Sequence, residues 1–251
     1  VRNNDKPSLE LESAPVLTLR DDLQFDQVGR ILAERYNLVK PDNRAEMDDV
    51  AQSETICGTP WKWKTVVIGA STGGIEALTE VLSTYPEHGP PTLVVQHVGP
   101  AYVAEIASRL NRSSAAEVSV AKHNQEASPG SVLLAPGATH HMTVHSPGPR
   151  VVLEPGDPVS GHRPSIDMLF FSAAKLGHQV VGVLLSGMGR DGANGLAEIR
   201  RAGGDTIGQD EQSSVVYGMP RAANELGAVQ QQLALDKIGA EILRAAKNGA
   251  M

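Results

Sequence analysis

Residues 65–74 read Thr-Val-Val-Ile-Gly-Ala-Ser-Thr-Gly-Gly and hold the first group suited to covalent chemistry. Within them, Gly69-Ala-Ser71-Thr-Gly73 fits G-x-S-x-G, the spacing that presents a serine hydroxyl as a nucleophile on a strand-to-helix turn. A serine hydroxyl is a weak nucleophile until a base takes its proton. The base in turn needs a third group to fix its tautomer and stabilise its charged form. Two residues offer those roles. His97 ends the apolar run Thr92-Leu-Val-Val-Gln-His97, and Asp191 lies in Ser186-Gly-Met-Gly-Arg-Asp191-Gly, directly after the long apolar run 179–185. Ser71, His97 and Asp191 therefore form a candidate nucleophile, base and orienting acid.

Each has a plainer reading. A serine in a glycine-rich turn can be no more than a small polar residue, a lone histidine at a strand end can be a structural hydrogen-bonder, and Asp191 beside Gly192 can be an N-cap. The turn also resembles a dinucleotide-binding loop. Its spacing is G-x-x-x-G-G rather than G-x-G-x-x-G, however, and the next apolar run ends in Gln-His where an acidic ribose ligand is wanted. A Tyr36-x-x-x-Lys40 pair precedes the turn, the wrong order for a reductase of that kind. His140, His141 and His145 invite a metal reading, but adjacent strand residues point to opposite faces, so no metal is expected there. The order Ser, His, Asp is not the Ser, acid, His order of α/β-hydrolases, although a triad is recognised by geometry rather than order.

The elements that must position these groups alternate in type. From Trp61 onward, apolar runs alternate with helical stretches, the pattern of βαβ units. Strands are expected at 65–69, 92–97, 117–121, 131–135, 179–186 and 205–208. Helices are expected at 75–84, 101–110, 164–176, from 191, at 220–226 and at 236–246. Residues 141–145 and 150–154, joined through Ser-Pro-Gly-Pro, read as an antiparallel hairpin. The implied class is α/β: a doubly wound, mostly parallel sheet flanked by helices on both faces, with one antiparallel hairpin. Ligands of such sheets bind beyond the carboxyl ends of the strands, where Ser71, His97 and Asp191 all fall.

Composition narrows the function class. The formal charge of −7 disfavours nucleic acid as a partner. No apolar run reaches the roughly 20 residues of a membrane-spanning helix, so no membrane insertion is expected. A single cysteine, Cys57, excludes an internal disulfide framework and suits the cytoplasm. The acidity is concentrated in residues 1–60, which carry 7 Lys+Arg against 12 Asp+Glu. Residues 1–60 read as an N-terminal extension or linker with one short helix, and 61–251 as the chemical domain. Val16–Leu19 followed by Asp21-Asp22 and an amphipathic stretch to Tyr36 looks like the opening of a response-regulator receiver. Only about 40 residues separate it from the Ser71 strand, too few for a complete receiver of about 100 residues.

Taken together, several blocks resemble one family. Ile68–Gly74, Val95–His97, Ala135–His140, His162–Asp167, Ser186–Gly192 and Val215–Arg221 are similar, in the family's order, to the catalytic domain of CheB-type protein-glutamate methylesterases of bacterial chemotaxis. The similarity runs from about Thr65 to Leu243. It implies that Ser71, His97 and Asp191 are catalytic and that Thr72 and the backbone N–H of Met188 serve the oxyanion and substrate. It also implies a cytoplasmic, monomeric enzyme that needs no metal or organic cofactor, acting on methylated chemoreceptor cytoplasmic domains and able in some members to deamidate receptor glutamines. Two departures stand out: no room for a full receiver, and Ser213-Ser214 where many members carry Cys. Two rival readings are a non-catalytic docking module built on the same fold and a hydrolase of small esters.

Overall fold

The computed structural model describes residues 63–145 and 148–247. The extension and linker read over 1–60, with Cys57, Tyr36 and Lys40, lie outside the described residues. The strands in chain order are β1 (Thr65–Ala70), β2 (Thr92–Gln96), β3 (Glu117–Val120), β4 (Ser131–Leu134), β5 (His140–His145), β6 (Arg150–Pro155), β7 (Val180–Leu184), β8 (Asp205–Gln209) and β9 (Gln231–Leu233). The α-helices are α1 (Gly74–Ser83), α2 (Val103–Ser113), α3 (Ile166–Ala174), α4 (Ala193–Arg201), α5 (Met219–Glu225) and α6 (Leu235–Ala245).

Seven strands form one sheet in the order β3-β4-β2-β1-β7-β8-β9, and every pairing in it is parallel. Parallel strands with both faces covered should read as continuous apolar runs, and β1, β2 and β7 are buried along their whole length. Because side chains alternate across a strand, β1 feeds two cores. Val66, Ile68 and Ala70 pack with Leu78, Leu82, Leu110 and Ile242 of α1, α2 and α6. Val67 joins Ile166, Leu169, Phe170 and Leu196 of α3 and α4 on the other face. The fold is thus doubly wound. The antiparallel pair β5–β6 stands apart as its own two-stranded sheet, with Met142 and Val144 in the second core. Helix α3 lies between hairpin and sheet, and all nine of its residues are buried. It is apolar around almost its whole circumference for that reason.

The strand order places a switch point at β1. The chain leaves β1 for β2 on one side and later returns to β7 on the other. Crevices form at such points outside the carboxyl ends. Ser71 directly follows β1, His97 directly follows β2, and Asp191 lies in the loop between β7 and α4.

Candidate active site

The turn after β1 is set by backbone constraints. Gly73 adopts φ +77° as the N-cap of α1, a left-handed conformation that L side chains rarely take, and the helix begins one residue later. Ser71 donates its N–H to the Ser186 carbonyl at 3.0 Å. Ser186 is fully buried, and its hydroxyl donates to the Thr72 carbonyl at 2.8 Å while accepting from the Val216 N–H at 2.9 Å. Gln96 links the other side, donating through Nε2 to the Ser71 carbonyl at 2.9 Å and to the His97 carbonyl at 3.1 Å. The backbones of the nucleophile and base candidates are therefore tied by one amide. Their register agrees: Ala70 pairs with Gln96, and His97 N–H donates to the Ala70 carbonyl at 3.0 Å. Neighbouring strands lie about 4.8 Å apart, and Ser71 and His97 each follow directly on one of two paired, adjacent strands.

His97 Nε2 lies 2.8 Å from Asp191 Oδ2, with side-chain exposures of 8% and 1%, so the pair is shielded from water. Asp191 is held by more than the imidazole. Its Oδ1 accepts from the Ser165 hydroxyl at 2.8 Å and the Asp167 N–H at 3.0 Å, and its Oδ2 also accepts from the Ile166 N–H at 2.8 Å. Ile166 and Asp167 open α3, and Ser165 is its N-cap. The carboxylate thus sits at the positive end of a neighbouring helix, the terminus that favours an anion. Burial alone would push its pKa up; the hydrogen bond and charge of His97, with the α3 amides, bring it below the ordinary carboxylate value. The N-cap reading of Asp191 is corrected: Gly192 caps α4, with no side-chain cap, and Asp191 serves the start of α3 instead.

Asp167 returns the arrangement. Its Oδ1 accepts from the Gly195 N–H in the first turn of α4 at 2.8 Å, so the start of α4 receives the Asp167 carboxyl as the start of α3 receives the Asp191 carboxylate. Burial, then repulsion from Asp191, raises the Asp167 carboxyl well above its ordinary range. Close approach makes the exchange possible. A Cβ on Gly69 would lie 2.3 Å from Ile166 Cγ2, and one on Gly192 2.5 Å from the same atom.

With Asp191 an ionised acceptor, Nε2 of His97 is the donor of this pair, and in the neutral tautomer that donates there Nδ1 is the acceptor. That Nδ1 is buried without a partner among the described residues. Ser71 is half-buried, and its hydroxyl makes no hydrogen bond to another described residue. Thr72 is exposed, and Met188 extends its side chain into solvent at 72% exposure. Neither residue's N–H donates to another described residue. Gly187 packs so tightly on Ser71 that an added Cβ would lie 2.7 Å from Ser71 Cβ, and Met188 is the next residue in the chain.

The three histidines of the metal reading disperse. His140 meets Thr139, His141 is buried between the Asp157 carbonyl and the Ser165 N–H, and His145 faces Glu154. Among the described residues, no group of three His, Cys, Asp or Glu could hold a metal ion. Sequence reasoning assigned no role to Gln96, His162, Ser165, Asp167 or Ser186. Their functions are contacts between distant segments, although the Ser165-x-x-Met168 start of an apolar helix does carry a capping signal.

Comparison with known proteins identifies a family. Residues 66–242 match the family described as CheB methylesterase. The chain is 54% identical over 180 residues to a protein-glutamate methylesterase/protein-glutamine glutaminase 1 of Caulobacter vibrioides, covering 71% of this chain and 52% of that one. It is 47% identical over 220 residues to the protein-glutamate methylesterase/protein-glutamine glutaminase of Agrobacterium fabrum, covering 86% and 62%. The chain thus spans about half to three-fifths of the length of these relatives. The crystal structure of the Thermotoga maritima CheB methylesterase catalytic domain superposes with a TM-score of 0.69 at 32% identity, covering 72% of this chain and 97% of that domain.

Proposed function

The chain belongs to the CheB methylesterase family, and from that premise we propose that it is a serine hydrolase that removes methyl esters from glutamate side chains of chemoreceptors and releases methanol. Residues 61–251 form the catalytic unit, and 1–60 an extension to it. The observation that carries the reading is the pairing of His97 Nε2 with a helix-held Asp191, which leaves Nδ1 buried and without a partner among the described residues, one residue past the strand that pairs with β1.

In this reading Ser71 Oγ attacks the ester carbonyl carbon while His97 Nδ1 takes the hydroxyl proton. The C–O bond to the methoxy group then breaks, and His97 returns the proton to the departing methanol. Water attacks the glutamyl–Ser71 ester with His97 again as base, and the products are the receptor carboxylate and free Ser71. Asp191 holds the productive tautomer and stabilises the imidazolium through Nε2. The N–H groups of Thr72, just before α1, and of Met188, in the loop after β7, receive the oxyanion with the help of the positive end of α1, one such donor being worth about 3 kcal/mol of barrier. The route needs no metal or organic cofactor. Deamidation of a receptor glutamine follows the same steps with ammonia in place of methanol. The substrate helices place the work in the cytoplasm, with the enzyme acting as a monomer and without nucleic acid or membrane insertion. Among the described residues, no helix is long and apolar enough to cross a membrane.

The test is methanol release from methylated receptor membranes set beside turnover of a p-nitrophenyl ester. Faster release from receptor is expected. Saturable receptor binding with no methanol would point instead to a docking module, and faster turnover of the small ester to a general esterase.

A further inference from the structure

The ring of His162 lies flat on that of His97, with centroids 3.8 Å apart and planes 8° from parallel. The segment that carries His162 is built to put it there. Val159 and His162 exchange backbone hydrogen bonds at 3.0 and 2.9 Å, closing a two-residue turn in which Ser160 (φ +51°) and Gly161 (φ +77°) are both left-handed. Two positive φ values are the signature of the tight type I′ hairpin turn. The next residue, Arg163, fastens the segment at both ends by donating from Nε to the Ala138 carbonyl at 2.6 Å and through its guanidinium to the Gly156 carbonyl at 2.7 Å. Two residues further on, Ser165 donates to Asp191. Within four residues the chain thus supports both the face of His97 and the carboxylate that holds its edge.

We propose that His162 is a positioning residue for the esterase reaction, fixing the plane of the His97 ring so that Nδ1 stays aimed at Ser71. The role rests on the hydrolase reading above. The single in-plane bond from Nε2 to Asp191 restrains His97 along one edge only and leaves the ring free to tilt about that bond. Nδ1 has no hydrogen-bond partner among the described residues to oppose the tilt. A flat ring at van der Waals contact does oppose it, and it also offers an aromatic face to the imidazolium that forms when Ser71 gives up its proton. His162 suits this role because it remains neutral: burial and then the charge of His97 lower its pKa, and Asp191 offsets this only in part. The charged or titratable groups around it are His97 after β2, Asp191 before α4 and Arg163 beside it, whose guanidinium is committed to backbone carbonyls. The ring nitrogens of His162 make no hydrogen bond to another described residue, so the ring itself is what the stack uses.

The test compares His162→Ala and His162→Phe in the full chain, reading kcat and KM for methanol release and the proton NMR shifts of the His97 ring. Removing the ring should lower kcat by about 10- to 100-fold, the scale of a misplacement near 1 Å, with KM little changed. Phenylalanine, flat and without nitrogens, should recover most of the loss. The upfield ring-current shift of the His97 protons should vanish in the alanine variant and persist in the phenylalanine variant. An active wild type with an equally active His162→Ala would overturn this role alone. A phenylalanine variant as impaired as alanine, with its ring current intact, would also overturn it and move the function to the nitrogens. A wild type that releases no methanol would remove the esterase reading and this role with it.

Discussion

Replacing Asp191 with asparagine exposes the hydrogen-bond logic of the site more sharply than deleting it. The two carboxylate oxygens receive four donors. Oδ2 takes His97 Nε2 and the Ile166 N–H, and Oδ1 takes the Ser165 hydroxyl and the Asp167 N–H. Each oxygen faces one backbone amide that cannot turn away, so the NH₂ of Asp191→Asn meets a fixed donor in either orientation. Turned toward Oδ1, it faces the Asp167 N–H, while the Ser165 hydroxyl can rotate to accept. Turned toward Oδ2, it faces the Ile166 N–H and drives His97 to the tautomer protonated at Nδ1, which cannot accept the Ser71 proton. One buried donor left unsatisfied costs about 1–3 kcal/mol. For a domain of this size that corresponds to a fall in Tm of roughly 2–12 °C. In a chymotrypsin-type triad the wrong tautomer costs about 10⁴ in kcat, and a loss between about 10² and 10⁴ is expected here. The assay is methanol release from methylated receptor, with a thermal melt of the same preparation. A variant melting with wild type and turning over within tenfold of it would refute the claim that Asp191 accepts from the α3 amides and sets the tautomer of His97.

Gly187→Ala should impair turnover while leaving most of the fold in place. Its Cβ would lie 2.7 Å from Ser71 Cβ and 2.5 Å from Met219 Sδ, so Ser71 must shift, and kcat should fall by about 10²-fold; unchanged kinetics would show that the turn absorbs the methyl group. Asp167→Asn should be neutral or stabilising at pH 7. Asp167 has a raised folded pKa, so its contribution to stability is whole below the unfolded value near 4 and lost as pH climbs toward the folded one. Asparagine removes that loss, and the gain over wild type in urea melts should grow from about pH 4 upward; a variant that loses stability at pH 7 would show Asp167 ionised. Asp191 has the opposite sign: its depressed folded pKa gives stability that is present above about pH 4 and lost as pH falls below it. Wild type should therefore lose more stability than Asp191→Asn between pH 4 and pH 2, and parallel curves would count against the assignment.

The parallel sheet and its cleft were legible because β1, β2 and β7 are uninterrupted apolar runs ending in glycine or polar turns, a pattern with few alternatives. The hairpin was legible from two short runs, 141–145 and 150–154, joined through a Ser-Pro-Gly-Pro link. Strand β9 was not: Gln-Gln-Leu is short, polar and on the edge of the sheet, and only its pairing with β8 defines it. At the site, residue type and strand-end position pointed to Ser71, His97 and Asp191. The environment of Asp191 was hidden, because its hydrogen-bond donors come from α3, 24 to 26 residues away in sequence. Its place next to Gly192 suggested a cap on its own helix, whereas packing against Gly69 and Gly192 brings a different helix to it. His162 was silent for the same reason, since nothing in a Ser-Gly turn announces which ring it will cover.

The central claim is that Ser71 is activated by a His97 held through Nε2, and the rate of methanol release from methylated receptor by wild type, Ser71→Ala and His97→Ala tests it most directly. Release by wild type, with both alanine variants at background although folded and bound to receptor, is the expected result. A folded Ser71→Ala that still releases methanol near the wild-type rate would contradict it.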